Sequence, residues 1–145
     1  MNYIDDAVEY LKNYENLQRA LENLEMDIRE LKAEINAGQL NAVQYSDMPK
    51  GNGPLLQDDK LINKMYKLQV KKKEYIITKK TIEKMDKAIA NLPEVEQKIL
   101  RAWYIDGLRD ETAYKHTGCS ERNFYRCKNQ ALKTFSIQLH GISAI

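Results

Sequence analysis

Apolar residues between Tyr3 and Ile35 recur with a seven-residue period: Tyr3, Ala7, Tyr10, Tyr14, Leu17, Leu21, Leu24, Ile28, Leu31 and Ile35. Alternating steps of three and four put all of them on one face of a helix. Ile4, Val8 and Leu11 widen the stripe at its N-terminal end, so that end is expected to meet more than one neighbour. At about 1.5 Å per residue such a helix is on the order of 50 Å long and needs a partner helix to cover its stripe. Gly38 predicts its stop. A second stripe, Leu61, Met65 and Leu68, resumes as Tyr75, Thr78, Ile82, Met85, Ile89 and Leu92, and the slip of phase over Lys71, Lys72 and Lys73 reads as a stutter. Asp58 or Asp59 fits the N-cap of this second helix. Residues 38–57 hold three of the six glycines and two of the three prolines, a linker composition, loosest from Pro49 to Pro54. The simplest arrangement folds the second helix back on the first as an antiparallel hairpin that then pairs with another copy.

Beyond Leu92 the segments shorten. Pro93 suits a first helical position, with Glu94 and Glu96 in the dipole-favoured first turn. Val95, Ile99, Ala102 and Trp103 form one stripe, and Gly107 supplies a left-handed cap, so a helix is predicted over 93–106. Leu108 then serves as a buried anchor, and Arg109 to Thr117 makes two turns with Ala113 inward. Gly118 and Cys119 turn the chain, and Ser120 is a strong N-cap. From there Phe124, Cys127, Ala131 and Phe135 share one face, while Glu121, Arg122, Tyr125, Arg126 and Asn129 share the other. Those outward side chains are long and mostly polar, as a recognition helix in a major groove requires. The residues after Phe135, SIQLHGISAI, either extend this helix and dock on the hairpin or fray. The fold class is therefore all-α: a helical hairpin or coiled coil over 1–92, a three-helix helix-turn-helix domain over 93–136 and a C-terminal tail over 137–145.

Net charge is only +2, but it is unevenly spread. Residues 1–37 carry nine acids and four bases, and residues 58–92 carry ten bases and five acids, so the two long segments attract. Residues 93–145, with eight bases and six acids, are mildly basic for a nucleic-acid module, so a dimer or a polymerase would have to supply the remaining affinity. Lys71 to Lys73, with Lys79 and Lys80, read as a solvated face, with phosphate contacts as the alternative. Tyr3, Tyr10 and Tyr14 share the phase of the leucines and belong to the core. No apolar run approaches the roughly 20 residues of a membrane span, and the acidic start MNYIDDAVEY is unlike a signal peptide, so a cytoplasmic protein is expected. Cys119 and Cys127 are expected as reduced thiols; with His116 they lack metal-ligand spacing. Without a phosphate loop, nucleophile elbow or paired carboxylates, neither an enzyme nor a cofactor is expected.

The strings LPEVEQKIL, a Tyr and Gly-Leu, TAYKHTGCS and FYRCKNQAL resemble region 4 of bacterial sigma factors and the sigma-like domains derived from it. With the helical N-terminal half, the whole chain resembles the ArpU/RinA-type phage late-gene regulators. The resemblance implies a sequence-specific DNA-binding activator of packaging and lysis genes in a bacterial host cell, with double-stranded DNA, a second copy of itself and RNA polymerase as partners. Position by position it implies base contacts from Glu121, Arg122 and Arg126, with Asn129 beside them. It implies backbone contacts from Tyr125 and from Ser120, which caps the helix, and Lys115, Lys128 and Lys133 are expected to join them. Thr112 stands where an aliphatic residue is usual and Glu121 where a basic one is common, departures that bear on the operator sequence. Two other readings remain: a phage DNA-packaging component binding DNA non-specifically, and an adaptor that binds polymerase rather than DNA.

Overall fold

The computed structural model describes residues 2–46 and 53–145, with side chains over 2–40 and 59–145. Among the described residues there are six α-helices and no strand: α1 (Tyr3–Lys12), α2 (Tyr14–Ser46), α3 (Gly53–Ala90), α4 (Glu94–Leu100), α5 (Asp110–Thr117) and α6 (Glu121–His140). The chain is all-α. A π-helical turn, Arg101–Ile105, follows α4, and a 3₁₀ turn, Gly141–Ala144, follows α6. The chain forms two compact units, one of Met1–Gln18 with Lys80–Ile145 and the other of Arg19–Lys79.

In the unit of Arg19–Lys79, α2 and α3 run antiparallel. Lys64 Nζ lies 3.6 Å from Glu34 Oε2, and Lys71 Nζ lies 3.6 Å from Asp27 Oδ2, which fixes one register. On α2 the heptad residues are the ones that turn inward: Leu24 and Ile35 are buried, and Leu21, Ile28 and Leu31 are half-buried. On α3 the half-buried residues are Leu61, Lys64, Leu68, Lys71, Tyr75 and Thr78, an unbroken alternation of three and four. The expected stutter is therefore absent. Two of the seam positions are filled by lysines, whose methylene stems cover apolar surface while their ammonium groups reach acids on α2. Met65 lies outside the seam.

The expected stop at Gly38 is also absent, because α2 continues to Ser46. Gly38 is helical and faces α3: a Cβ there would stand 3.0 Å from Leu61 Cδ1, so a larger residue would make the Leu61 side chain shift. α3 likewise begins at Gly53, ahead of the expected caps Asp58 and Asp59. Pro54 falls in its first turn, where no N–H is needed. Of the linker expected over 38–57, residues 47–52, including Pro49, lie outside the described residues.

In the other unit the first helix is interrupted once. Asn13 closes α1 with φ −95° and ψ 5°, its Nδ2 donating to the Glu9 carbonyl at 2.9 Å. Asn2 caps the start of α1, accepting from the amides of Ile4 and Asp5. α1 packs on α6 and on the π-helical turn, so Ala7 and Leu11 are fully buried. Tyr14 is buried as well, and its hydroxyl donates to Asp86 on α3. Tyr3 and Tyr10 meet the ring of His140 at 5.1 and 6.3 Å, and His140 Nε2 lies 3.0 Å from Asp6 Oδ2. These contacts hold the C-terminal end of α6, which continues to His140 rather than ending near Ser136. Of the two readings of the tail, the helix extension is the one observed, with Leu139 buried beneath it.

Gln97 closes the corner between α3 and α4, its Nε2 donating to the carbonyls of Leu92 at 2.7 Å and Ala90 at 3.2 Å. Pro93 is the N-cap of α4 rather than its first residue. The inward stripe of α4 is Glu96, Ile99 and Leu100, with Val95 exposed, one residue on from the stripe expected through Val95. α4 serves α5 and α6 together, so a wider arc of it is covered than one stripe supplies. The π-helical turn then carries Ala102 inward and brings the chain to Gly107, in the left-handed region at φ 70°.

Candidate nucleic-acid interface

The site is built on a small aromatic core. Ile99, Ala113 and Phe124 are fully buried, and Trp103, Leu108, Tyr114, Tyr125 and both cysteines pack around them. Trp103, Tyr114 and Tyr125 all meet the Phe124 ring at centroid distances of 5.2 to 5.6 Å, tilted or edge-on. Such pairs add to area burial and hold the rings at fixed angles. Cys119 and Cys127 are free thiols.

Gly118, at φ 72°, ends α5 in the left-handed region, and Ser120 starts α6 from extended backbone. Ser120 Oγ accepts from the Asn123 amide at 3.3 Å, the N-cap read from the sequence. Ala113 faces inward as expected. The core positions on α6 include Phe124, Ala131 and Phe135, with Cys127 half-buried; Leu132, Ser136 and Leu139 extend the buried face toward α1 and α4.

Among the side chains expected to read bases, Glu121, Arg122, Arg126 and Asn129 are all exposed. Helical spacing sets Arg122, Arg126, Asn129 and Lys133 on one outward face. Arg126 Nη2 donates to Asn123 Oδ1 at 2.7 Å, which limits the rotamers of its guanidinium without burying it. The expected backbone contacts divide into two groups. Ser120, Lys115 and Lys133 are exposed, whereas Tyr125 and Lys128 are half-buried on the flank of α6 that faces Trp103. Tyr114 donates to the Tyr125 hydroxyl at 3.0 Å; this bond first, and burial second, raises the Tyr114 phenol above its ordinary range. With its oxygen accepting from Tyr114, the Tyr125 hydroxyl hydrogen is left to donate elsewhere.

Lys128 Nζ lies 4.5 Å from the Trp103 ring centroid and 4.9 Å from that of Tyr125. Partial burial, with the Arg109 cation adding to it, pulls its pKa below the usual lysine value. Arg109 was not among the residues expected to act. Its guanidinium carbon stands 4.3 Å from the same Trp103 centroid, and Nη1 donates to the carbonyls of Trp103 and Leu108. The backbone bends sharply here, since Arg109 is extended and Asp110, at φ 52°, is left-handed, a conformation that aspartate tolerates better than most residues. The only trace of this in the sequence is a cation after Gly-Leu with a tryptophan six positions upstream, a separation too irregular for a periodicity argument.

Among the described residues no helix is long and apolar enough to cross a membrane. No curated protein and no solved structure matches the chain. The match that does exist, over residues 41–136, takes in the last residues of α2, all of α3 and the site described above up to Ser136; it is to the family described as a protein of unknown function (DUF1492), and the chain belongs to that family.

Proposed function

We propose that the protein is a DNA-binding transcriptional regulator, an activator of phage late packaging and lysis genes that works in the cytoplasm of a bacterial host. In this reading α6 enters the major groove, and Arg122, Arg126 and Asn129, with Glu121 at the start, read base edges. Ser120, Lys115, Lys133, Tyr125 and Lys128 hold phosphates. The protein recruits or positions RNA polymerase at a promoter and needs no cofactor and no catalytic step. The observation that carries the reading is the outward face of α6: a capped helix on an aromatic core carries Arg122, Arg126, Asn129 and Lys133, all exposed among the described residues. A footprint on DNA flanking its own coding region, at stated salt, tests it. Arg126→Ala should weaken the cognate site by about 1 to 3 kcal/mol and relax specificity at one base pair, whereas equal loss on random DNA would make Arg126 a backbone contact.

Self-association is part of the proposal. Ile62, Tyr66, Val70 and Ile76 are exposed on the face of α3 turned away from its seam with α2. Together they leave on the order of 400 Å² of apolar surface, comparable to the largest patch of a typical monomer, which is often functional. An antiparallel second copy of α3, with its two-fold axis between Gln69 and Val70, would set Ile62 against the exposed Ile77, Tyr66 against Lys73 and Gln69 against Val70, each pairing occurring twice, as a two-fold interface requires. Light scattering on Tyr66→Glu should show monomers where the native chain is dimeric. A ring of many subunits would favour the packaging role, and nuclease-resistant capture of host polymerase without a footprint would favour the adaptor.

A further inference from the structure

Arg109 and Lys128 rest against the same indole, at 4.3 and 4.5 Å from its centroid, which leaves the two charges within about 9 Å of each other. Among the described residues neither has a carboxylate within ion-pair distance, although Lys12, Arg29, Lys64, Lys71 and Lys98 all do. Like charges held this close cost electrostatic energy unless an anion joins them. Both are also held in place. Arg109 Nη1 is tied to the carbonyls of Trp103 and Leu108, and Lys128 bridges the rings of Trp103 and Tyr125. Tyr125, whose ring Lys128 also touches, accepts from Tyr114 and keeps its own hydroxyl hydrogen to give. The carboxylates of Asp110 and Glu121 act on Tyr114 from the same end of the domain, but neither comes within ion-pair distance of Arg109 or Lys128.

We propose that Arg109 and Lys128, splayed on Trp103, form a clamp for a single phosphodiester of the nucleic-acid backbone, with the Tyr125 hydroxyl as a third donor. This rests on the DNA-binding reading and extends it, since it adds Arg109, from outside the recognition helix, and joins it with Lys128 and Tyr125 on one phosphate. The two free oxygens of a phosphodiester, each reached by a donor at about 2.8 Å, bridge donors up to about 8 Å apart, and the two cations lie within about 9 Å of each other. Trp103 acts as the positioning residue: its ring offers each cation a partly dehydrated seat without neutralising it. Because α6 contributes Lys128 and the α4–α5 corner contributes Arg109, a phosphate gripped here would lock α6 in one register along the duplex.

Trp103 is the only tryptophan of the chain, so its emission reports on the site directly. The full-length protein is titrated with duplex DNA across a salt series, following both DNA anisotropy and tryptophan emission. The native chain should show an emission change that tracks binding. Arg109→Gln with Lys128→Gln should abolish that change and lower the slope of log K against log salt by about 1, the share of one phosphate. Arg109→Lys should restore most of the slope, and circular dichroism of each variant checks folding. A fall of about 2 would mean two separate phosphates and would overturn the single clamp. DNA binding with silent emission and an unchanged slope would overturn the clamp and leave the recognition helix standing. In a second arm inorganic phosphate replaces chloride at constant ionic strength: an emission response without any DNA binding would refute the DNA-binding reading and support the anion seat, and no response in either arm would refute both.

Discussion

Replacing Lys64 and Lys71 together by leucine should stabilise the α2–α3 pairing while loosening its register. The two lysines stand at seam positions, with side chains 42% and 38% exposed, facing Glu34 and Asp27 that are themselves about half exposed. At that exposure each ion pair contributes up to about 1 kcal/mol and is weakened by salt. A leucine with roughly 60% of its side chain covered gains about 1 to 1.5 kcal/mol, and loses no more than the methylene burial the lysine stem already had. The net is on the order of 1 kcal/mol for the pair of substitutions, about 4 °C in the melting temperature of a unit this size. Specificity moves the other way. Sliding α3 by one heptad toward the N-terminus of α2 would set Lys64 against Asp27 and leave Lys71 opposite Ala20, burying a lysine without its acid; two leucines make that slip nearly neutral. Thermal melts by circular dichroism at low and high salt, with light scattering on the same samples, read both effects. A loss of more than about 1 kcal/mol, persisting in high salt, would refute the reasoning, because the pairs would then hold the hairpin together rather than select its register.

Phe124→Ala should cost about 3 to 5 kcal/mol in urea unfolding, because the ring is fully buried at the centre of the aromatic core and three other rings lean on it. Tyr14→Phe should cost about 1 to 2 kcal/mol at neutral pH by removing the bond to Asp86. Burial, then that bond, raises the Tyr14 pKa, so its protonated form is favoured by folding. The stabilisation is therefore complete below the unfolded value near 10 and is lost as pH rises through the folded value; a native-minus-variant difference flat to about pH 9.5 and falling above it is the expected profile. Ser136→Ala should raise stability by up to about 1 kcal/mol, since the hydroxyl is 1% exposed and has no hydrogen-bond partner among the described residues. A destabilised Ser136→Ala variant would mean that the hydroxyl is satisfied.

Periodicity was the most dependable signal in the sequence because it reports one thing, which face of a helix is covered. Every heptad residue from Tyr3 to Ile35 is buried or half-buried, with a single interruption at Asn13. The same signal misread α3, where lysines at seam positions look like a break in the repeat. A lysine there is compatible with an intact seam only if an acid stands opposite, and the identity of the opposite residue depends on a register that one strand of sequence does not state. Gly38 and Pro54 misled for a related reason. Both are punctuation in an isolated chain, yet a glycine lets two helices approach and a proline fits a first turn, and which role applies depends on the neighbour.

The proposed site divides along the same line. Ser120, Phe124 and the outward arginines follow from cap chemistry and a 3.6-residue period, both local, and the structure brings them together as the sequence implies. Tyr125 and Lys128 lie in the right segment, but their surroundings come from Trp103, more than twenty residues earlier, so nothing local marked them as partners of an indole. Arg109 is the extreme case: it is placed by a left-handed Asp110, by two backbone carbonyls and by a ring on the preceding turn, none of which has a spacing rule. The consequence for the proposed function is specific. Residues legible from the sequence are those a recognition helix needs for base reading, while those legible only from the fold concern where that helix is anchored, so variants at Arg122 or Arg126 should change which sequence is chosen, and variants at Arg109 or Lys128 should change affinity on every sequence alike.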